Sequence, residues 1–306
     1  MFSIQRIEKG RAFVMKIVAA DIGGTSTKIG LCDESGRIER FQEYETESKR
    51  GGEHVIGKLM AHLEEYSGYD AIAVSTAGQV DADAGVIVYA NENIPGYTGM
   101  RIADRLTERF GKPVRVENDV NAAALGEGRF GAGRSYADFL CLTYGTGIGG
   151  AIVINGDIYR GANGVAAEFG HILTHAWAER RDPEFKPYYE KFASTSALVH
   201  LARQVDPECI NGRILFDKID KGNEPLRRVI DDWITEVAAG LASIVHIFNP
   251  SAIVVGGGVM ERDELVRQAE ERTKEFIMDS FAGVRIVKAS LGNKAGLLGA
   301  ASRLLP

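Results

Sequence analysis

Residues 139–159 read FLCLTYGTGIGGAIVINGDIY, and residues 17–38 read IVAADIGGTSTKIGLCDESGRI. Each stretch opens on a short apolar run, passes through a turn of glycine and threonine, and enters a second apolar run closed by a polar, glycine-containing turn. Short apolar runs bounded by turn residues read as buried strands, so each stretch predicts an antiparallel hairpin. The same order recurs after about 120 residues, which predicts a duplicated domain with one glycine turn in each half. Further strands are expected at 71–74, 252–255 and 285–289, and helices at 52–66, 102–110, 194–204, 226–249, 263–278 and 295–304, where apolar residues fall at helical spacing. Strands alternating with helices predict an α/β fold whose ligand chemistry sits at strand ends. The expected division is an extension at 1–14, a first α/β domain over 15–130 joined by a terminal helix at about 294–306, and a second over 131–293.

The chain has 306 residues, 45% hydrophobic and 25% charged, as expected of a globular protein with sizeable cores. Its net charge of −6 argues against a nucleic-acid backbone as partner, since phosphate binding wants a basic face. Cys32, Cys141 and Cys209 are scattered and support neither a disulfide framework nor a thiolate zinc site, so the expected setting is the reducing cytoplasm. No apolar run approaches the ~18 residues that span a membrane. Residues 1–14 carry charges throughout and lack the apolar core of a secretion signal.

Several segments carry groups suited to chemistry. Backbone N–H groups in a turn such as Asp21, Gly23, Gly24, Thr25 can hold phosphate oxygens, and Asp21 can hold Mg²⁺ through water; an ordinary hairpin turn is the plainer alternative. Thr143, Gly145, Thr146 and Gly147 repeat that composition. Residues 117–121, ENDVN, follow a short strand and precede the alanine-rich run of a helix, a corner a ligand can reach. Asp119 there is the candidate catalytic base, although Asn118 and Asp119 are also good helix caps, and the stretch alone fits either role. Residues 75–81 and 91–97 are expected loops at strand ends. Glu168 and His171 could both turn to one pocket, with a structural histidine the plainer alternative for His171. Gly256, Gly257 and Gly258 remove side chains where a base or ribose could approach, or simply form a tight strand–helix junction.

Taken together and in this order, 21–27, 117–121, 143–150, 168–171 and 256–259 resemble the sugar kinases of the ROK family (repressor, open reading frame, kinase), over essentially the whole chain from Met15 on. The resemblance implies the duplicated ribonuclease H-like fold of actin-type ATPases, with ATP and sugar in the cleft between two domains. It matches Asp119 to the catalytic base, Asp21, Gly23, Gly24 and Thr25 to a first phosphate segment, and Thr143, Gly145, Thr146 and Gly147 to a second. Gly256, Gly257 and Gly258 look like the adenosine segment. Gly78, Asn93, Asn118, Glu168, His171 and Glu190 match positions that hold sugar hydroxyls. Most of the family carries a cysteine-rich zinc site between the Glu-x-Gly-His segment and the next glutamate; here that interval has no cysteine, so no structural zinc is expected and Pro187, Tyr188 and Tyr189 are expected to provide the scaffolding by packing.

The implied reaction is ATP- and Mg²⁺-dependent phosphorylation of a sugar hydroxyl, that on C6, with Asp119 accepting its proton. Glucose, N-acetylmannosamine and β-glucosides are the candidate acceptors, and relatives imply a homodimer or homotetramer. The competing class is a sugar-sensing repressor of the same family; the roughly fourteen residues ahead of the core are too few for a DNA-binding module, which argues against it.

Overall fold

A computed structural model describes residues 14–175 and 186–306. The expected extension at 1–14 lies outside them except for Val14, as does most of the irregular stretch that holds Arg180 to Pro183. Two compact units result: one holds the described residues through Gly126 together with Lys294–Pro306, the other Glu127–Asn293.

In the first unit β1 (Ile17–Ile22), β2 (Ser26–Cys32) and β3 (Ile38–Glu45) form an antiparallel meander. Helix α1 (Gly52–Leu63) leads to β4 (Ala71–Thr76), which lies parallel to β1; a small hairpin of β5 (Gln79–Asp81) and β6 (Val86–Tyr89) and helix α2 (Ile102–Phe110) follow. Strand β7 (Val114–Asn118) lies parallel to β4 and runs straight into α3 (Asp119–Phe130). The sheet order is β3-β2-β1-β4-β7. Strands β1 and β4 are almost wholly apolar because both their faces are covered, whereas edge strand β3, IERFQEYE, alternates and stays half wet. The parallel register sets Asp21 beside Ser75 and Ser75 beside Glu117, a polar row at the carboxyl ends of three adjacent strands.

The second unit repeats the plan. Strands β8 (Phe139–Tyr144), β9 (Ile148–Ile154) and β10 (Asp157–Ile158) form the meander. Helices α4 (Glu190–Ala193), α5 (Thr195–Val205), α6 (Gly212–Asp220) and α7 (Glu224–Phe248) precede β11 (Ala252–Gly256); α8 (Asp263–Phe276) precedes β12 (Arg285–Lys288). Its order is β10-β9-β8-β11-β12, with β8, β11 and β12 mutually parallel. The two sheets share one topology, the duplicated ribonuclease H-like arrangement of actin-type ATPases. Each unit has its own core: Val18, Ile56, Leu59, Ile72 and Val116 in the first, Leu142, Trp233, Val237, Leu241 and Ile253 in the second. The apolar stripe of α7 is therefore core, as its spacing predicts.

Helix α9 (Ala295–Ser302) returns to the first unit, packing against β1 and β4. Its small residues are demanded by close approach: a methyl group on Gly299 would overlap the Ala122 carbonyl of α3, and one on Gly296 would lie 2.8 Å from Asp21 Oδ1.

Three details differ from expectation. Strand β4 runs to Thr76, because Ser75 and Thr76 stay in register with Asp21 and Ile22, and the expected loop 75–81 contains β5. Residues 212–220, unassigned by pattern, form α6, capped by Asn211, whose side chain accepts the Ile214 N–H at 3.0 Å.

Candidate active site

The β7–α3 corner is held by its own side chains. Asn118 Oδ1 accepts the N–H groups of Val120 (3.0 Å) and Asn121 (3.1 Å), satisfying donors that the first turn of a helix leaves open. Asn118 Nδ2 donates to the Gly78 carbonyl and to Asp119 Oδ1, both at 2.9 Å. Buried Glu117 accepts the Asn118 N–H at 3.1 Å and Asn121 Nδ2 at 3.2 Å. Asn118 is thus a cap, and it also aims Asp119. Asp119 keeps partial solvent access, and its Oδ1 also accepts the Val120 N–H at 2.9 Å, which leaves Oδ2 for a proton. Burial, and then the charge of Asp21, push its carboxyl up to about 6. Asp21 is raised too: burial outweighs the Ser75 hydroxyl, which donates to Oδ1 at 2.7 Å, and the Lys28 ammonium 3.9 Å from Oδ2.

The first glycine turn starts one residue past β1. Gly23 N–H closes it on the Ser26 carbonyl at 3.0 Å, and Thr46 braces it, its hydroxyl donating to the Gly23 carbonyl at 2.7 Å and its N–H to the Thr25 carbonyl at 2.9 Å. Gly24 and Thr25 are left exposed at the tip. Gly78 and Asn118 are joined to Asp119 by the hydrogen bonds above, whereas Asn93 stands exposed in the 91–97 loop, its N–H on Asn91 Oδ1 at 3.1 Å.

In the second unit the turn after β8 is closed by Gly145 N–H on the Gly147 carbonyl at 2.9 Å. Thr195 at the start of α5 pins it, with its N–H on the Gly145 carbonyl (3.0 Å) and its hydroxyl on the Tyr144 carbonyl (2.9 Å). Thr143 pairs with Gly256 between β8 and β11. Gly257, at φ +102°, lies so close to Tyr144 that a methyl group would overlap its carbonyl, so this glycine serves the strand junction, while Gly258 has open space before it. Gly145, Thr146 and Gly258 line a cavity of about 580 Å³. Its other walls, among them Thr195, Ser196, His200, Arg203 and Asn211, come from α5 and the approach to α6. Sequence pattern did not single these out; the one available signal is the Ser-Thr-Ser run at 194–196, which also reads as an ordinary helix start.

Glu168 and His171 lie together and half exposed, with Glu168 Oε2 3.4 Å from His171 Nδ1. Glu190 begins α4, and its Oε2 accepts the Ile148 N–H at 3.3 Å, just past the glycine turn. The carboxylate is wedged between Gly147 and Gly170, at each of which a methyl group would crowd it. Of the expected scaffold, Tyr189 is fully buried, while Pro187 and Tyr188 are half-buried and the Tyr188 ring meets His171 edge-on at 4.9 Å. Among the described residues, no group of three or more His, Cys, Asp or Glu side chains is placed to hold a metal ion, and no helix is long and apolar enough to cross a membrane.

The glucokinase of Thermotoga maritima is 32% identical over 94% of this chain and 96% of its own length. The β-glucoside kinase of Listeria monocytogenes is 33% identical over 95% and 98%. Among solved structures, the ROK family glucokinase from Streptomyces griseus, in complex with glucose and AMPPNP, superposes with a TM-score of 0.80 at 32% identity, over 94% of this chain and 98% of that one. The family model described as "ROK family" matches residues 17–305, and the chain belongs to that family.

Proposed function

We propose that this chain transfers the γ-phosphate of ATP to the C6 hydroxyl of a hexose, such as glucose or N-acetylmannosamine, or of a β-glucoside, with Asp119 as general base. The enzyme class, an ATP-dependent sugar kinase, rests on the glucokinase and β-glucoside kinase relatives and on their match over nearly the full chain. The observation that carries the finer reading is the state of Asp119. With an acidity near pH 6 and one oxygen committed to Val120 and Asn118, the carboxylate is ionised at neutral pH yet basic enough to take up a hydroxyl proton.

The remaining groups have proposed roles within their own units. Amides of the two glycine turns suit phosphate oxygens. A cavity of about 580 Å³ is within the range of small-molecule pockets and bordered by Gly258 and Thr146, which suits the nucleoside. Gly78, Asn93, Asn118, Glu168, His171 and Glu190 are the proposed sugar-side residues; Asn118 contributes chiefly by aiming Asp119. The Asp21–Asp119 pair suits Mg²⁺: burial raises both carboxyls and the charge of Asp21 raises Asp119 further, which makes an undercompensated negative site, and Asp21 would hold the ion through water. When bound, the ion would offset charge on the transferring phosphoryl group. We propose further that the enzyme works in the cytoplasm as a homodimer or homotetramer, which light scattering of the purified chain tests.

A coupled ADP-release assay over glucose, N-acetylmannosamine, N-acetylglucosamine, fructose and β-glucoside disaccharides tests the reaction. Sugar-dependent ADP release is expected, falling by about 10²–10⁴-fold in Asp119→Asn. Release that ignores added sugar, or an Asp119→Asn variant near wild-type rate, would overturn the reading.

A further inference from the structure

Tyr189 is buried in the core of the second unit, and its hydroxyl is bonded on two sides. It donates to the Val237 carbonyl of α7 at 2.7 Å and lies 2.9 Å from the Tyr144 hydroxyl. A phenol has a single proton to give and a carbonyl can only accept, so the direction is fixed: Tyr144 donates to Tyr189, and Tyr189 donates to Val237. The ring occupies the space that a side chain at 240 would fill, since a methyl group on Gly240 would overlap it. Tyr144 meets both Tyr189 and Trp233 edge-on, each at 6.5 Å between centroids, and the Trp233 indole N–H donates to the Ser194 carbonyl at 3.1 Å.

Each phenol adjoins a segment with a proposed task. Tyr144 immediately precedes the 145–147 phosphate turn, and Tyr189 immediately precedes Glu190. The Glu190 carboxylate in turn rests on that same turn, through the Ile148 N–H and the bare faces of Gly147 and Gly170. The loop is thereby closed twice, once through hydroxyls in the core and once through the carboxylate at the surface.

We propose that the Tyr144–Tyr189–Val237 hydrogen-bond relay is a positioning device that fixes Glu190 against the phosphate turn, so that the Glu190 carboxylate and the turn are set as one piece. The inference rests on the reading of Glu190 as a sugar ligand. Neither tyrosine touches substrate; both act through Glu190.

The test uses Tyr189→Phe and Tyr144→Phe in the full chain, each of which keeps the ring and removes one hydroxyl. Steady-state kinetics are run with ATP and the panel sugar of highest turnover (D-glucose in the simplest case). Loss of a buried hydrogen bond predicts a sugar KM raised about fivefold, with the ATP KM within about twofold of wild type. Because both substitutions break one relay, the double variant is expected to match the worse single variant rather than multiply the two effects. An unchanged sugar KM in both single variants overturns the proposal even where melting temperature falls, and so does an equal rise in both KM values, which is general loosening. Should Tyr189→Phe not fold, Tyr144→Phe interrupts the same relay and decides alone. Glu190→Gln separates the two levels: if it leaves sugar KM unchanged, the sugar role of Glu190 fails and the proposal with it. If it raises sugar KM while the tyrosine variants do not, only the relay fails.

Discussion

Asp119 receives two hydrogen bonds on one oxygen, from Val120 N–H and Asn118 Nδ2, and faces a second carboxylate, Asp21, across the strand ends. With its pKa at about 6, kcat/KM should rise tenfold per pH unit below that value and level off above it, as a pH–rate profile would show. The same shift bears on stability with the opposite sign. A carboxyl raised from 3.8 to about 6 binds its proton more tightly in the folded chain, so stability falls as pH climbs through that window and the penalty persists above it. Asp119→Asn should therefore stabilise the ligand-free protein at pH 7.5 by about 1–3 kcal/mol, with the gain shrinking toward pH 4, measured by urea unfolding. The strand-to-helix corner that carries Asp119 was legible from the alanine-rich run behind it. The Ser75 hydroxyl and the bare face of Gly296 beside Asp21 were not, because parallel pairing and a returning helix bring them from 54 residues downstream in the first case and the far end of the sequence in the second.

At the scale of elements, the end of α3 shows how one side chain ties segments together. Glu127 is buried; Oε1 accepts the N–H groups of Ser290 and Leu291, and Oε2 accepts the Ala132 N–H and the Ser290 hydroxyl. Glu127→Gln would turn one carboxylate oxygen into an amide NH2 facing donors, and should destabilise the protein by about 2–3 kcal/mol in a denaturant titration, with Asp119 untouched. The glycine hairpins were readable because their apolar runs are short and their turns leave little choice of conformation. Helix α6 was not, since its apolar set, Ile214, Leu215, Phe216 and Ile219, spans only nine residues of helix with charges between. The cavity was illegible for a related reason: its walls come from 144–146, 195–203, 210–212 and 258, and no single stretch bears its mark.

For the whole molecule, the duplicated topology was visible in the repeated hairpin order, but not the closing of each core by residues distant in sequence. With no cysteine between 171 and 190, treatment with a strong zinc chelator followed by Mg²⁺ resupply should leave melting temperature and sugar-dependent turnover unchanged, checked by thermal denaturation and ADP release. Helix α9 carries a consequence for assembly. The chain through Asn293 holds the strands of both sheets, yet its first unit lacks the helix that seats Gly296 on Asp21 and Gly299 on Ala122. Cutting the purified chain back to residue 293 should therefore leave protease-resistant fragments from the second unit and digestible ones from the first, and adding residues 294–306 as a separate peptide should restore protection of the first.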